Sequence, residues 1–380
     1  MKSNTAHSEI FRSEKYRNPF RFGTIVDEPY FTNRISELSE IRSILDTRVH
    51  LILMSPRRFG KTSLILKAVN NLSRPVLFCD LQIITSEIDF AEQLLKKLHH
   101  LFPLEKIKSL LKTFRIVPII SMNPLSNEVN ISFNATDHQT APIEDVLNLC
   151  QKVSSSDRPL IIIFDEFQEI RKIGTGLEKN LRSIIQHHDR INYVFLGSQE
   201  SMIRDIFQNN KSPFYHFGRL LRLSKISDDD FRTFLMEHFR SVSKDAESIS
   251  DNILKFTHAH PYYTQQLAFY VWERMKIYGD TEREVQNAID QIITIHNLDF
   301  DRIWATLNRT DMKILVGMAY SSLLPLSNDF ARSYKTGSTS TTYSALSRLI
   351  SRGYVLQTNH GYEIEDPFFK QWIISRRGEE

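Results

Sequence analysis

The nine residues from Ser55 to Ser63 constrain this chain more than any other segment. They lie between an apolar run, His50–Met54, and a helix predicted to begin near Thr62. A turn that joins a strand to a helix N-terminus presents backbone N–H groups that hold phosphate. Ser55 replaces the first glycine of the G-x-x-x-x-G-K-[ST] pattern, so the match is one residue short. The context predicts a phosphate-binding loop made of Ser55, Pro56, Arg57, Arg58, Phe59, Gly60, Lys61, Thr62 and Ser63.

Two side chains of this loop have the chemistry that ATP with Mg²⁺ requires. The Lys61 ammonium can neutralise β- and γ-phosphate oxygens, and the Thr62 hydroxyl can bind Mg²⁺. Lys61 is therefore predicted as a binding and catalytic residue, and Thr62 as a metal ligand. Since a binding loop does not prove turnover, binding without hydrolysis stays open as an alternative.

A pair of carboxylates forms the second motif. Asp165 and Glu166 follow directly after the apolar run Leu160–Phe164. In a P-loop enzyme the first carboxylate holds Mg²⁺ through its water shell, and the second orients or deprotonates the attacking water. We therefore predict Asp165 as a metal ligand and Glu166 as the catalytic base. Taken alone, the pair also fits an ordinary acidic turn, but its position after the loop favours the catalytic role.

Two further residues are candidates for contact with the terminal phosphate. Ser198 follows the predicted strand Tyr193–Gly197 and is predicted as a sensor, although capping of the helix that starts near Glu200 is an equal alternative. Arg219 precedes the fifth strand, where its planar guanidinium can reach an ATP oxygen of the same or a neighbouring subunit. A solvated or ion-paired arginine is the alternative for Arg219, and Arg222 is less favoured.

The apolar runs predict an α/β fold with a parallel sheet sandwiched by helices. Short β-branched and aromatic runs alternate with amphipathic stretches between residues 49 and 224, as in a sheet buried on both faces. The predicted strands are His50–Met54, Val76–Leu81, Leu160–Phe164, Tyr193–Gly197 and Leu220–Leu223.

Three domains follow from the change of pattern along the chain. Residues 1–226 are predicted to form the P-loop α/β domain, with an inserted hairpin at about 115–140. Residues 227–297 have helical spacing without strands and predict a helical lid domain. Residues 298–380 contain two helical stretches, a third helix after a polar break, and then a two-stranded wing, which predicts a winged-helix domain.

Composition excludes several other classes of protein. The net charge of +3, from 48 basic and 45 acidic residues, is too small to indicate nucleic-acid or membrane binding by itself. Cys79 and Cys150 have no CxxC partner, which argues against a zinc site or a disulfide framework. We find no signal peptide and no apolar run long enough for a membrane span, so we expect a cytoplasmic protein without membrane contact.

Taken together, these motifs resemble the archaeal-type ATPase family, which belongs to the STAND branch of AAA+ P-loop NTPases. The resemblance covers nearly the whole chain and departs from the family pattern at Asn33, Ser55 and Ala259, where glycine is usual. Further matching segments are Phe31–Leu38, Phe164–Gln168, Gly197–Ser198, His260–Tyr262, Arg352–Tyr354 and Asp366–Phe369.

The resemblance implies residue roles that spacing alone does not give. Arg34 would lie near the adenine, and Pro261 in the lid would touch the base from the other side. Members of the family act as nucleotide-gated switches, and several relatives assemble when ATP is bound. The resemblance therefore implies a slow ATPase that cycles between ATP and ADP, with homo-oligomerisation or a protein partner as its output.

A DNA-binding ATPase, acting in replication, transposition or defence through its winged helix, is the alternative function. The predicted recognition helix, Thr339–Ser351, contains Arg348, and three more cations flank it. Four cations are a modest number for a DNA reader. A winged helix that only packs or contacts protein is equally compatible with this pattern. The flanking cations are Arg332, Lys335 and Arg352.

Overall fold

The computed structural model describes residues 17–70, 72–112, 114–115, 118–122, 129–133, 141–279, 283–358 and 361–377. It divides into two compact units. We call Arg34–Ser224 the sheet unit. The helical unit consists of Lys225–Glu380 together with the segment that ends at Asn33.

A five-stranded parallel sheet, in the order β2-β5-β6-β1-β7, forms the centre of the sheet unit. Its faces are both covered, because Leu160, Ile162 and Phe164 join one core while the alternating Ile161 and Ile163 are equally buried. This burial explains the continuous apolar runs in the sequence. The strands are β1 Leu51–Met54, β2 Val76–Asp80, β5 Leu160–Asp165, β6 Ile191–Gly197 and β7 Arg219–Arg222.

Eight helices are described in the sheet unit, and the predicted α/β architecture is confirmed. Two short antiparallel strands, β3 Ile119–Met122 and β4 Val129–Ser132, occupy the region of the predicted insertion. The rest of that insertion, residues 116–117, 123–128 and 134–140, lies outside the described residues. The helices are α1 Ile35–Leu45, α2 Lys61–Asn70, α3 Glu87–Leu101, α4 Leu104–Leu111, α5 Ala141–Val153, α6 Ile170–Ile173, α7 Leu177–Ile185 and α8 Glu200–Phe207.

Helices α9 Asp228–Phe239, α10 Ala246–Thr257, α11 Pro261–Tyr278 and α12 Glu284–Ala305 begin the helical unit. Ser227 caps α9 by accepting a hydrogen bond from the Asp230 N–H. The long helix α12 continues through residue 297, where the sequence predicted a domain boundary, because Ile292 and Phe300 are buried on either side of that position. The described N-terminal segment packs here too, since Phe20 is fully buried against Phe239.

A winged helix completes the helical unit, as the sequence predicted. Helices α13 Arg309–Tyr320, α14 Asn328–Tyr334 and α15 Thr339–Ser351 precede the antiparallel wing, and α16 Pro367–Arg377 follows it. The wing pairs β8 Val355–Thr358 with β9 Gly361–Ile364, and Val355 faces Ile364. No helix in the described ranges is both long and apolar enough to cross a membrane.

Candidate nucleotide-binding site

The predicted phosphate loop connects β1 to α2. Arg58 and Gly60 both have positive φ, at 62° and 83°, so the turn depends on a left-handed conformation that glycine adopts without strain. Ser55 is fully buried, and its N–H donates to the Gly197 carbonyl at 3.3 Å. Serine therefore fits at the position where the usual pattern has glycine, because it extends β1 alongside β6. Arg57 is exposed, and Phe59 is buried.

Lys61 begins α2 and is only 6% exposed. Its Nζ donates to the carbonyls of Ser55 and Pro56, both at 3.3 Å, and it forms no ion pair within the described part of the chain. Burial lowers the pKa of Lys61, although the nearby Glu166 and Asp165 carboxylates favour its charged form. A buried ammonium that donates its hydrogen bonds to backbone carbonyls attracts an anionic ligand.

The two predicted metal ligands contact each other directly. Thr62 Oγ1 donates to Asp165 Oδ2 at 2.8 Å. Burial raises the pKa of the Asp165 carboxyl, while the Thr62 hydrogen bond opposes that shift. A hydroxyl and a carboxylate oxygen are the hard oxygen donors that Mg²⁺ prefers, so these residues fit the predicted metal.

Glu166 lies next to Asp165 with a left-handed backbone, at φ 51°. Ser198 Oγ donates to Glu166 Oε2 at 2.5 Å, and Gln168 Nε2 donates to the same oxygen. The hydroxyl of Ser198 is thus directed at the candidate base, whereas α8 has Gln199 as its N-cap with no side-chain capping bond. Gln168 was not predicted as a site residue, although its position two residues after Glu166 was the available signal.

Strand register separates the two candidate arginines. Arg219 pairs with Leu51, at the end of β1 far from the loop, and its Nη2 contacts Glu40 Oε1 at 2.6 Å. Arg222 pairs with Met54, which leads directly into the loop. The structure therefore does not bring Arg219 to the loop of its own chain, because three residues along a strand span about 10 Å.

Arg222 contacts Glu200 Oε2 through Nη2 at 3.0 Å. The Glu200 carboxylate is one of the charges that favour the charged form of Lys61. Arg222 and Glu200 therefore lie at the loop end of the sheet, and neither was predicted as a site residue. Periodicity could not separate Arg219 from Arg222, since the exact end of a short strand decides which one faces the loop.

Arg34 is 5% exposed and joins the phosphate loop to the last residue of the sheet unit. Its Nη2 donates to the Ser224 carbonyl at 2.9 Å and to the Phe59 carbonyl at 3.4 Å, while Nη1 pairs with Glu37 at 2.8 Å. Asn33 before it has φ 31°, a conformation that asparagine tolerates better than most residues. This explains asparagine where the family has glycine.

Pro261 belongs to the helical unit, where it is the first residue of α11 behind the N-cap His260. Ala259, which stands at a usual glycine, has φ 52°, a left-handed conformation that is strained for alanine. The role of Pro261 toward the base stays a prediction from the resemblance. Ser63, the last predicted loop residue, lies in the first turn of α2.

The order of the strands and the residues at their ends define a P-loop NTPase fold followed by a winged helix. A family model described as an ATPase domain predominantly from Archaea matches residues 31–267, and one for a probable winged helix domain matches residues 298–375. The chain belongs to this archaeal ATPase family, which confirms the predicted resemblance.

The solved structures that are similar to this chain include two that cover almost all of it. A Walker-type ATPase of Pyrococcus abyssi has 19% identity and a TM-score of 0.64, with 93% of this chain and 99% of that chain covered. The ORC2 protein of Aeropyrum pernix, in ADPNP and ADP complexes, has 14% identity and a TM-score of 0.55, with coverages of 95% and 100%. No curated protein sequence matches the chain.

Proposed function

We propose that this protein binds ATP with Mg²⁺ in the loop from Ser55 to Ser63 and hydrolyses it slowly, as a nucleotide-gated switch of the STAND kind. The observation that supports this most strongly is that a buried ammonium, which forms no ion pair with any described residue, and two carboxylates lie at the same end of the sheet. Lys61 and Thr62 follow β1, Asp165 ends β5, and Ser198 follows β6 between them.

Each of these groups has one role in the proposed chemistry. Thr62 Oγ1 and Asp165 would hold Mg²⁺, which neutralises phosphate charge when bound. Lys61 binds the β- and γ-phosphate oxygens, and Glu166 takes the proton of the water that attacks the γ-phosphorus. Slow turnover follows because the same Glu166 oxygen already accepts hydrogen bonds from Ser198 and Gln168, which compete with that water.

The loop assignment is tested by Lys61→Ala, with Lys67→Ala on the same helix as the matched control. Saturating ATP should stabilise the wild type by about 2–3 kcal/mol at a hundredfold excess over Kd, a clear shift in melting temperature. Lys61→Ala should lose this shift because it removes the buried charge, and Lys67→Ala should keep it. An unchanged shift in Lys61→Ala would falsify the proposed site.

Hydrolysis is tested separately with Glu166→Gln. This variant should bind ATP as the wild type does, because the amide keeps an acceptor for Ser198. Its phosphate release should fall by about 10²-fold or more, since the general base is lost. Normal phosphate release by this variant would remove Glu166 from the catalytic role while leaving nucleotide binding intact.

Assembly is the proposed output of the switch. The mass of the purified protein in solution, compared between ADP and a nonhydrolysable ATP analogue with Mg²⁺, measures it directly. A larger mass with the analogue supports a homo-oligomer, and identical masses point to a partner protein or to a change within one chain.

The alternative function is a DNA-binding ATPase, which the exposed face of α15 supports. Ser340, Tyr343, Ser344 and Ser347 are exposed on this helix, which contains no acidic residue. Arg348, however, pairs at 2.8 Å with Asp311, which is fully buried, so one of the four predicted cations already stabilises the winged helix.

A sharper test of DNA binding therefore avoids Arg348. Arg332→Gln combined with Lys335→Gln removes two exposed cations and leaves the Arg348–Asp311 pair in place. Salt-dependent binding of duplex DNA that weakens in this double variant would favour the alternative. Absence of binding at low salt would leave the switch as the proposed function.

A further inference from the structure

A cavity of about 450 Å³ lies within the helical unit. Its walls come from the end of α10, the end of α13 with the following residues 321–325, the wing strand β9, and one face of α16. The cavity thus joins the predicted lid to the winged helix. A space of this size accommodates a small organic ligand.

Cationic side chains line the rim of this cavity. Lys225, Lys255 and Lys370 line it together with Glu363 and Glu365. Lys225 pairs with Glu363 at 2.7 Å, but Lys255 and Lys370 form no ion pair with any described residue. After burial, the charges of Lys225 and Lys370 are the largest causes that lower the pKa of the adjoining His258. The rim therefore has two ammonium groups available to an anion.

Apolar groups line the cavity as well. They include Met318, Leu324 and Ile364. Two successive residues, His258 and Ala259, have left-handed backbones at φ 51° and 52° beside it. Such strained, non-glycine conformations cluster at functional sites.

We propose that this cavity binds a small organic phosphate, with the phosphate held by Lys255 and Lys370 and the apolar body against Met318 and Leu324. A phosphate monoester carries close to two negative charges at neutral pH, which matches the two available ammonium groups. Its oxygens also compete with Glu363 for Lys225. A bound ligand therefore connects Lys255 of α10 to Lys370 of α16, and it weakens the ion pair between Lys225 and Glu363 of the wing.

The test is calorimetric titration of full-length Lys61→Ala protein with phenyl phosphate, so that the nucleotide loop contributes no heat. We expect binding in the millimolar range or tighter, with inorganic phosphate weaker and phenol undetectable. Lys255→Gln combined with Lys370→Gln should weaken binding at least about tenfold, while the exposed Lys244→Gln, outside the cavity, should not. No binding of phenyl phosphate, or equal binding in the double variant, overturns the proposal.

A second measurement does not depend on the folding of a cavity variant. Acetylation of lysines in the same Lys61→Ala protein, mapped by mass spectrometry, should slow at Lys255 and Lys370 when phenyl phosphate is added, and not at Lys244. Equal rates with and without the ligand contradict the site. The result is independent of the ATPase proposal, because failure of ATP binding by the wild type would leave both readouts unchanged.

Discussion

Both the backbone and the side chain of Glu166 are constrained by their surroundings. Its left-handed backbone is strained for glutamate, and its N–H donates to the Asp165 carboxylate at 2.9 Å. Two donors, from Ser198 and Gln168, then hold a single oxygen of its side chain. Three hydrogen bonds therefore hold the candidate base in one position.

Two arginines on one strand provide a matched pair for testing contact with the terminal phosphate. Arg222→Gln should lower the rate of ATP hydrolysis by about 10²-fold with little loss of ATP binding, because a cation near the loop acts mainly on charge that develops in the transition state. Arg219→Gln should change the rate by less than about threefold, since its side chain pairs with Glu40 beyond the far end of β1. Steady-state phosphate release with both variants measures this.

A large loss of ATP hydrolysis in Arg219→Gln would have one of two meanings, which its dependence on protein concentration distinguishes. A large loss in Arg219→Gln that grows with protein concentration would indicate that this arginine acts on the nucleotide of a neighbouring subunit. A large loss independent of concentration would contradict the assignment by strand register.

Local motifs were sufficient to predict Lys61, Thr62, Asp165 and Glu166 as a group. Their spacing depends only on one strand end followed by one turn, which the sequence contains. Gln168 and Arg222 were not predicted, because their positions depend on the conformation of a tight turn and on the register between β1 and β7. Neither quantity is encoded in hydrophobic periodicity.

At the scale of elements, apolar runs located all five strands of the parallel sheet to within one or two residues. The N-terminal segment was assigned to the α/β domain, yet its described residues pack in the helical unit. Its apolar residues follow no periodic pattern, although Phe20 contacts Phe234 and Phe239. Long-range packing of isolated aromatic residues is what the sequence could not reveal.

Two histidines near the start of β1 and β6 make the sheet sensitive to acid. Burial lowers the pKa of His50 and of His188 to about 4. His50 Nδ1 accepts from the Tyr193 N–H at 3.2 Å, and His188 Nδ1 lies 2.7 Å from the Tyr193 hydroxyl. Because the unfolded chain takes up protons at about pH 6.5, stability falls from there down to about pH 4, by about 3 kcal/mol per histidine at most.

His50→Asn keeps an acceptor for Tyr193 but removes the titrating group. Hydrogen exchange measures the free energy of opening of β6, which should fall in the wild type when the pH is lowered from 7.5 to 4.5. In His50→Asn this decrease should be smaller by about 2 kcal/mol. His100→Gln, on α3, serves as the control and should follow the wild type. Equal pH dependence in His50→Asn would show that His50 is solvated in solution.

At the scale of the whole molecule, the chain passes between its two units at Asn33–Arg34 and at Ser224–Lys225. The Arg34 guanidinium bonds to the Ser224 carbonyl and to the Phe59 carbonyl of the phosphate loop. Both connections are therefore fixed to the loop by one side chain. We infer that a change of loop conformation on nucleotide binding is transmitted to the helical unit through Arg34.

The distribution of tryptophan makes this transmission measurable. All three tryptophans, Trp272, Trp304 and Trp372, belong to the helical unit, whereas the nucleotide loop belongs to the sheet unit. Tryptophan fluorescence should therefore change with a nonhydrolysable ATP analogue only if the helical unit responds. Arg34→Lys should still bind the analogue, because the charge is kept, but should lose most of the fluorescence change, since an ammonium cannot bond to both carbonyls in the same planar geometry.

Arg48 is exposed, and Arg48→Lys is the matched control, which should keep the full fluorescence change. The lost hydrogen bonds correspond to a decrease in coupling free energy of about 1 kcal/mol or more. An undiminished signal in Arg34→Lys would mean that the units communicate by another route. The wild type could also show no fluorescence change even though ATP raises its melting temperature. Nucleotide binding would then not affect the helical unit, and the switch would have to act within the sheet unit.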